Sequence, residues 1–457
     1  MKRHPRLCCA ALCSLFPLTS FAQGSPPAAP VRPVVDTYHG VRVTDPYRWM
    51  ETPNNAELRE WMLAQNAHTR AVLDAIPGRD SLLARQARYL GSTVTSIRLD
   101  DQRGDYAFML IRRVGEEVRR YYVRDGLYGT DRLLLDPSAV TVPGRSTARG
   151  AAEIEGCVPS PSGRRLACQL AVGGSEKGAL FIVDVATGRL AEAPIPRARR
   201  ASWLPDEQAF VYSRRPESPS DAPPAQHNLN MRVYLHRIGT DSTSDRVLFG
   251  PGVSPDIDVD PAHYIDIRIP LGSTHAFARN NDGTTVNDEI FTAPVASLNA
   301  AVPVPWRRII HMDDEVTAYA AHGDDLYVLS YHRAPAKRLL RTSLAAPNFS
   351  AAAVVVPESA GVIDGMTRRA DALYLHSIER GMSRLRRVPF DGSLATDVPT
   401  AVRGRHLART GHGRNMAGGD LHPDGLDARA RRLPLRSRDA PARHPARAGP
   451  RSARRND

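Results

Sequence analysis

Past residue 22 the 457-residue chain has no apolar run approaching the 18 or more residues of a membrane-spanning helix, so no such helix is expected there. Cysteine is scarce. Of the five, Cys8, Cys9 and Cys13 fall in the first 22 residues, leaving only Cys157 and Cys168. No C-x-x-C pair occurs, which excludes a zinc ribbon or a thioredoxin-like redox site. A P-loop, a dinucleotide fingerprint and zinc-ligand spacing are missing as well, so the expected cofactors and metals are none. Residues 401–457 lack Phe, Trp, Tyr, Ile, Glu and Lys altogether. Elsewhere the composition is ordinary: 42% hydrophobic, 24% charged, mean hydropathy −0.35. A chain of this length can bury a sizeable core, and its length suggests two or three domains.

The charge balance first suggests a polyanion partner. There are 61 Lys+Arg against 49 Asp+Glu, giving net +12 and a pI near 9.8. The distribution removes that reading. Three positive charges (Lys2, Arg3, Arg6) sit in residues 1–22, which hold no acid. Nine more come from residues 401–457, where 14 Arg face 5 Asp. Residues 23–400 are neutral overall, and nucleic acid is not an expected partner.

Residues 1–22 read as a secretory signal: a charged start, the apolar stretch 7–21, and Ser20-Phe21-Ala22 as a small-x-small cleavage site. Cleavage after Ala22 and export to a periplasm or the medium are therefore expected. Cys157 and Cys168 flank the turn Pro159-Ser160-Pro161-Ser162-Gly163 and could face each other across a hairpin. A disulfide and two buried free thiols are both compatible with that placement. Residues 401–457, with only Val402 and Thr410 β-branched, cannot bury enough apolar surface to fold. Arg without Lys, among Ala, Pro and Gly, is what a GC-rich gene yields out of frame, and the composition breaks within residues 397–403. A genuine polyanion-binding tail is the competing reading.

Residues 23–92 read as an N-terminal extended and helical segment. After the Pro-rich lead Ser25-Pro26-Pro27-Ala28-Ala29-Pro30 comes an extended stretch, 34–43. A helix follows, with Asn54 as its cap, Glu57 three residues on, and Leu58, Trp61, Met62 and Gln65 on one face. A second helix is predicted over 80–89, with Leu82, Leu83 and Ala87 inward. From about residue 93 the period becomes alternating. A turn of Asp, Ser, Gly or Pro followed by a short strand recurs around Ser162, Asp206, Pro261, Asp324 and Asp371, at intervals of 44 to 63 residues. Propeller blades run to roughly 40–50 residues, four strands each. Residues 93–400 are read as consecutive blades.

The chain resembles the prolyl oligopeptidases. The likeness is carried by Tyr38-His39-Gly40, by Asp45-Pro46-Tyr47-Arg48-Trp49-Met50-Glu51, and by a helix containing Ala64-Gln65-Asn66. It continues through Tyr121-Tyr122-Val123-Arg124-Asp125, Leu134-Leu135-Asp136-Pro137 and the hairpin at residues 160–163. Val233-Tyr234-Leu235-His236, Gly239-Thr240-Asp241, Val355-Val356-Pro357-Glu358 and Arg387-Val388-Pro389-Phe390-Asp391-Gly392 extend it to about residues 30–398. The resemblance implies a serine endopeptidase cutting short peptides after proline, with a seven-bladed propeller restricting access to an α/β-hydrolase domain.

Acyl transfer by that route needs a Ser on a strained strand–turn–helix elbow, a His to take its proton and an Asp to orient the imidazole. The family's elbow reads Gly-Gly-Ser-Asn-Gly-Gly. The nearest match, Gly173-Gly174-Ser175-Glu176-Lys177, has Lys where the second Gly should stand and leads into Leu180-Phe181-Ile182-Val183, a strand. His39, His68, His236, His263 and His311 are scattered through the body, and His406, His412, His422 and His444 lie in the tail. No catalytic residue is assigned. Asp256, Asp258 and Asp260 alternate as in a calcium loop, but Pro261 and Ile267 break that pattern, leaving an exposed acidic strand edge. Asp313-Asp314-Glu315 reads as a solvated loop.

The expected fold is mainly β: an incomplete propeller after a short helical segment, without the family's α/β-hydrolase domain. The expected ligands are short proline-containing peptides. Loss of frame near residue 400 would leave the chain catalytically inactive, with an exposed blade edge and poor folding. A stand-alone exported propeller that binds peptides or a protein partner is the alternative.

Overall fold

The structure is a computed structural model that describes residues 25–52, 55–91, 95–144, 151–174, 178–217, 224–300 and 303–399. The signal reading at residues 1–22 and the tail reading at residues 401–457 lie outside the described residues. The chain divides into two compact units, residues 1–93 and 94–457.

The first unit opens with a hairpin of β1 (Val34–Tyr38) and β2 (Val41–Asp45). Its two-residue turn, His39-Gly40, has φ of 49° and 83°, and Gly at the second position carries the larger value without a Cβ penalty. The Asp45 carboxylate accepts from the Tyr47 amide at 2.8 Å and from Arg48 Nε at 3.0 Å, and Arg48 also pairs with Asp36. Trp49 Nε1 donates to the Pro30 carbonyl at 2.8 Å. Helix α1 (Ala56–Asp74) is capped by Asn55, whose side chain accepts from the Glu57 and Leu58 amides. The predicted cap, Asn54, lies outside the described residues, and the capping geometry belongs to its neighbour. Glu57 pairs instead with Arg32 at 2.6 Å. Trp61 Nε1 and Gln65 Nε2 both donate to the Pro27 carbonyl, so this face holds the Pro-rich lead. Met62 is not on that face and is 52% exposed. In α2 (Arg79–Gly91) Leu82, Leu83 and Ala87 are exposed rather than inward. No helix of the described residues is long and apolar enough to cross a membrane.

Among the described residues the second unit contains six four-stranded antiparallel sheets, each a simple meander. In chain order these blades span residues 96–135, 152–196, 198–249, 264–310, 316–356 and 362–397. The strands Tyr106–Arg112 and Ala179–Asp184 bury five residues in a row rather than alternating. Ala179–Asp184 does so because blade 2 is packed between blades 1 and 3, whereas the second face of Tyr106–Arg112 is covered within blade 1, by Leu99, Tyr122 and Leu127. The core accordingly lies between blades. Leu110, Tyr121, Leu166 and Phe181 join blades 1 and 2, and Ile182, Trp203, Phe210 and Tyr212 join blades 2 and 3. Phe249 and Phe291 join blades 3 and 4, Phe277 and Val328 join 4 and 5, and Leu329 and Leu373 join 5 and 6. Two indoles lock these seams: Trp203 Nε1 donates to the Val158 carbonyl at 2.9 Å, and Trp306 Nε1 to the Leu248 carbonyl at 3.0 Å.

The recurring turns are real but not all in phase. Those at Ser162, Asp206, Asp324 and Asp371 join the first and second strands of blades 2, 3, 5 and 6. Asp260-Pro261 instead precedes the first strand of blade 4, Tyr264–Arg268, whose own hairpin turns at Gly272. Cys157 and Cys168 are direct cross-strand partners in blade 2, with Cα atoms 4.1 Å apart, and form a disulfide. Of the two states open from sequence, the bonded one is present.

Candidate functional site

The first strand of each blade is an edge strand of its sheet. First strands of blades 1 and 2, 2 and 3, 3 and 4, and 5 and 6 lie beside one another. Radial packing of that kind lines a central channel with first strands. Two bonds link blades on this side. Arg200 of blade 3 pairs with Asp266 of blade 4 at 2.6 Å, and Arg368 of blade 6 donates to the Leu271 carbonyl of blade 4 at 3.3 Å, passing over blade 5.

In five of the six blades the first strand carries one residue more than its partner, a bulge that redirects the side chains around it. The unmatched positions are Asp100, Glu155, Arg200 (with Ala201), Thr317 and Asp364. Every blade with a bulge thus places a polar residue there. Arg200 adopts φ of 56° to do so. Blade 4 has no shift between its first two strands, and its central residue, Asp266, is the one Arg200 binds.

Asp266 is the hub of this wall. It is 2% exposed and contacts Arg200 at 2.6 Å, Arg268 at 3.1 Å and Arg279 at 3.4 Å. Burial by itself would raise its carboxyl, but the guanidiniums of Arg268, Arg200 and Arg279 outweigh that and hold it well below the usual carboxylate range. Arg279 also binds Asp288 at 2.7 Å, and burial pushes the Asp288 carboxyl up against that pull. The Arg200 guanidinium is shifted downward, first by burial and, against the pull of Asp266, further by repulsion from Arg199, Arg279 and Arg268. On blade 1 the charge is of the other sign. Asp101 pairs with Arg103, yet burial drives its carboxyl up to about 7. Asp100 accepts from the Tyr121 hydroxyl at 2.8 Å. A channel wall of this kind can hold a charged, extended chain, and none of these groups forms a nucleophile–base–orienter set.

The decoys resolve individually. Gly173 and Gly174 sit in a turn between two antiparallel strands of blade 2, Arg165–Val172 and Ala179–Asp184. Ser175, Glu176 and Lys177 lie outside the described residues. Asp256, Asp258 and Asp260 are exposed but in coil, not on a strand edge, because Asp260 accepts from the Ala262 amide at 2.7 Å to start a turn. Asp313 and Asp314 belong to a short 3₁₀ turn, Met312–Asp314, and Glu315 pairs with His332 at 2.9 Å. Among the described residues no group of three or more His, Cys, Asp or Glu could hold a metal ion.

Of the scattered histidines, His236 proves to be the one whose surroundings sequence reading missed. It is 1% exposed in the seam of blades 2 and 3, with Nδ1 2.9 Å from Asp245 and Nε2 3.0 Å from Glu192. Burial would lower it, but the two carboxylates raise it to about 9. Tyr212 donates to the same Asp245 at 2.7 Å. Glu192 lies 44 residues away in sequence, so no local motif signals the pair.

Comparison with known proteins joins this geometry to a family. The family model for the prolyl oligopeptidase N-terminal β-propeller domain matches residues 26–408. The chain belongs to the prolyl oligopeptidase family. Within it, the prolyl endopeptidase of Elizabethkingia meningoseptica is 24% identical over 314 residues, 68% of this chain and 42% of that protein. Prolyl oligopeptidase A of Galerina marginata is 25% identical over 343 residues, 67% of this chain and 44% of that protein. The chain therefore spans less than half the length of these curated relatives. A solved prolyl endopeptidase superposes with a TM-score of 0.69 at 24% identity, over 83% of this chain and 54% of that one. Prolyl oligopeptidase B of Galerina marginata, bound to a 35-residue hydrolysis and macrocyclization substrate, gives 0.66 at 15% identity, over 81% and 54%. At these identities the solved structures establish a shared prolyl oligopeptidase propeller fold.

Proposed function

We propose that this chain is the peptide-admitting propeller portion of a prolyl oligopeptidase-type serine peptidase, and that residues 1–457 alone hydrolyse no peptide. The observation that carries the reading is the polar wall of first strands around the channel, within a family whose curated relatives are prolyl endopeptidases and oligopeptidases. The ligands are short peptides containing proline: an extended chain of one strand's width enters the channel, whereas a folded protein does not. The absence of a G-x-S-x-G elbow from the sequence supports inactivity, since that turn is what presents the family's Ser to a base.

The buried disulfide supports folding in an oxidising compartment, in keeping with an exported protein. The compositional break within residues 397–403 supports a change of reading frame there. The nucleotide sequence downstream, read in the other two frames, tests this directly by the presence of the family's elbow. For activity, the purified full chain is incubated with a chromogenic Gly-Pro amide. The expected rate equals the blank. Turnover abolished by a serine-directed inhibitor would overturn the proposal. Fractionation of the producing cell tests export: the chain is expected outside the cytoplasm, and cytoplasmic retention contradicts it.

A further inference from the structure

In the first unit the chain grips its own proline-rich lead. Ser25-Pro26-Pro27-Ala28-Ala29-Pro30-Val31-Arg32-Pro33 belongs to no helix or strand. Proline fixes its own φ and pushes the residue before it out of the helical region, so this composition biases the stretch towards polyproline II. That helix has three residues per turn and no internal hydrogen bonds, so carbonyls three residues apart share one edge and stay free to accept. The carbonyls of Pro27 and Pro30 are three apart, and each accepts an indole N–H. Trp61 Nε1 donates to Pro27 at 3.2 Å and Trp49 Nε1 to Pro30 at 2.8 Å. Gln65 Nε2 donates to the Pro27 carbonyl as well. Two residues past Pro30, the Arg32 guanidinium binds Glu57 through two bonds, at 2.6 and 2.8 Å, and lies 5.2 Å from the centre of the Trp49 ring. Glu57, Trp61 and Gln65 follow at four-residue steps, which sets them on one face of α1. An aromatic-lined surface that reads a preformed polyproline II segment is a recurring mode of peptide recognition, and here a carboxylate adds a contact for the flanking cation.

We propose that the α1 face of Glu57, Trp61 and Gln65, together with Trp49, is a binding site for proline-rich segments of the spacing Pro-x-x-Pro-x-Arg, filled in this chain by residues 27–32. The site lies wholly in the first unit and does not depend on the channel reading. Its donors address two backbone carbonyls, and its carboxylate addresses one cation, so a proline-rich segment supplied in trans meets the same groups as the lead. Tethering gives the lead an effective concentration of order millimolar, which is what a free segment has to overcome. Weakening the tethered copy therefore opens the site, and removing an indole N–H weakens it for any occupant.

The test is saturation-transfer NMR, in which a peptide's own signals report its binding to a low concentration of the full chain. One peptide has the sequence of residues 25–33, and a second has Ala in place of the prolines matching Pro27 and Pro30. With the wild-type chain the first peptide is expected to bind with a midpoint of about 1 mM, the tethered lead's effective concentration. The Ala peptide, less preorganised, is expected to bind about fivefold more weakly. Arg32→Ala, which loosens the tethered copy at an exposed ion pair, is expected to tighten the first peptide up to about fivefold. Adding Trp61→Phe, which keeps a ring but removes the N–H donor, undoes that gain. Equal midpoints for the two peptides, or no transfer to either, overturn the inference, and both results are read on the wild-type chain, so a misfolded variant does not shield it. A midpoint that neither substitution moves places the peptide elsewhere, such as in the channel, and overturns the inference while leaving the channel reading intact.

Discussion

Removing the Asp266 carboxylate is the most revealing single change in the propeller. The group is almost fully buried and neutralises three guanidiniums from two blades at 2.6, 3.1 and 3.4 Å. Asp266→Ala leaves Arg200, Arg268 and Arg279 facing each other with Asp288 as their remaining carboxylate partner. Breaking a buried pair by deleting one partner costs about 3–5 kcal/mol, and three cations on one anion place this case at the upper end. The same arrangement has a pH signature. The folded-state carboxyl lies below its unfolded value, so its stabilisation is present above roughly pH 4 and is lost as pH falls through the folded value. Urea unfolding followed by tryptophan fluorescence suits the measurement, because Trp203 and Trp306 report from the seams flanking blade 3. With m of about 3 kcal/mol per molar, the midpoint drops by more than 1 M. The difference between wild type and variant then narrows below pH 4. A loss under about 1 kcal/mol, or a difference independent of pH, would show that desolvation already cancels the charge pairing and would sink the hub assignment.

Two further changes probe the seams. His236, raised from 6.5 to about 9 by Asp245 and Glu192 against the opposing effect of burial, stabilises the fold fully below about pH 6.5 and loses that contribution as pH rises through 9. At 1.36 kcal/mol per unit, discounted for screening, this amounts to about 2 kcal/mol, and His236→Gln should flatten the melting profile between pH 6.5 and 9; an unchanged slope would contradict it. The Cys157–Cys168 disulfide closes a loop of sequence separation 11, so replacing both with Ala should cost about 3 kcal/mol by chain entropy, read as a lower urea midpoint. Equal midpoints for the oxidised wild type and the double variant would show that the bond does not stabilise the fold.

The blade signal was legible because each meander repeats a turn of Ser, Pro, Asp or Gly before a β-rich strand. All five strands read from such turns exist, including Arg165–Val172 and Ala372–Glu379. Blade 4 was out of phase because Asp260-Pro261 is a strong turn signal belonging to the connection between blades, whereas its true hairpin holds the weaker Leu271-Gly272. The helix cap slipped by one residue because Asn54 and Asn55 are chemically equivalent as caps, and only the backbone decides. Leu82 and Leu83 were read as inward from periodicity, which reports an apolar face but not whether anything covers it. The channel wall was invisible for a different reason. Asp100, Glu155, Arg200, Thr317 and Asp364 share no motif, and a bulge is a property of pairing between strands rather than of the strand's own sequence. Asp266 and Arg200 are 66 residues apart, and Asp266 alone resembles any strand-borne acid.

The central claim, that the propeller admits and holds short peptides without cutting them, is tested most directly by one titration with product analysis. A fluorescently labelled, proline-containing peptide of about eight residues is titrated with the purified full chain, and the endpoint mixture is examined by mass spectrometry. The account predicts a saturable rise in anisotropy, reversed by excess unlabelled peptide, with the peptide mass unchanged. Fragments ending at proline, or anisotropy that never departs from the free-peptide value, would contradict it.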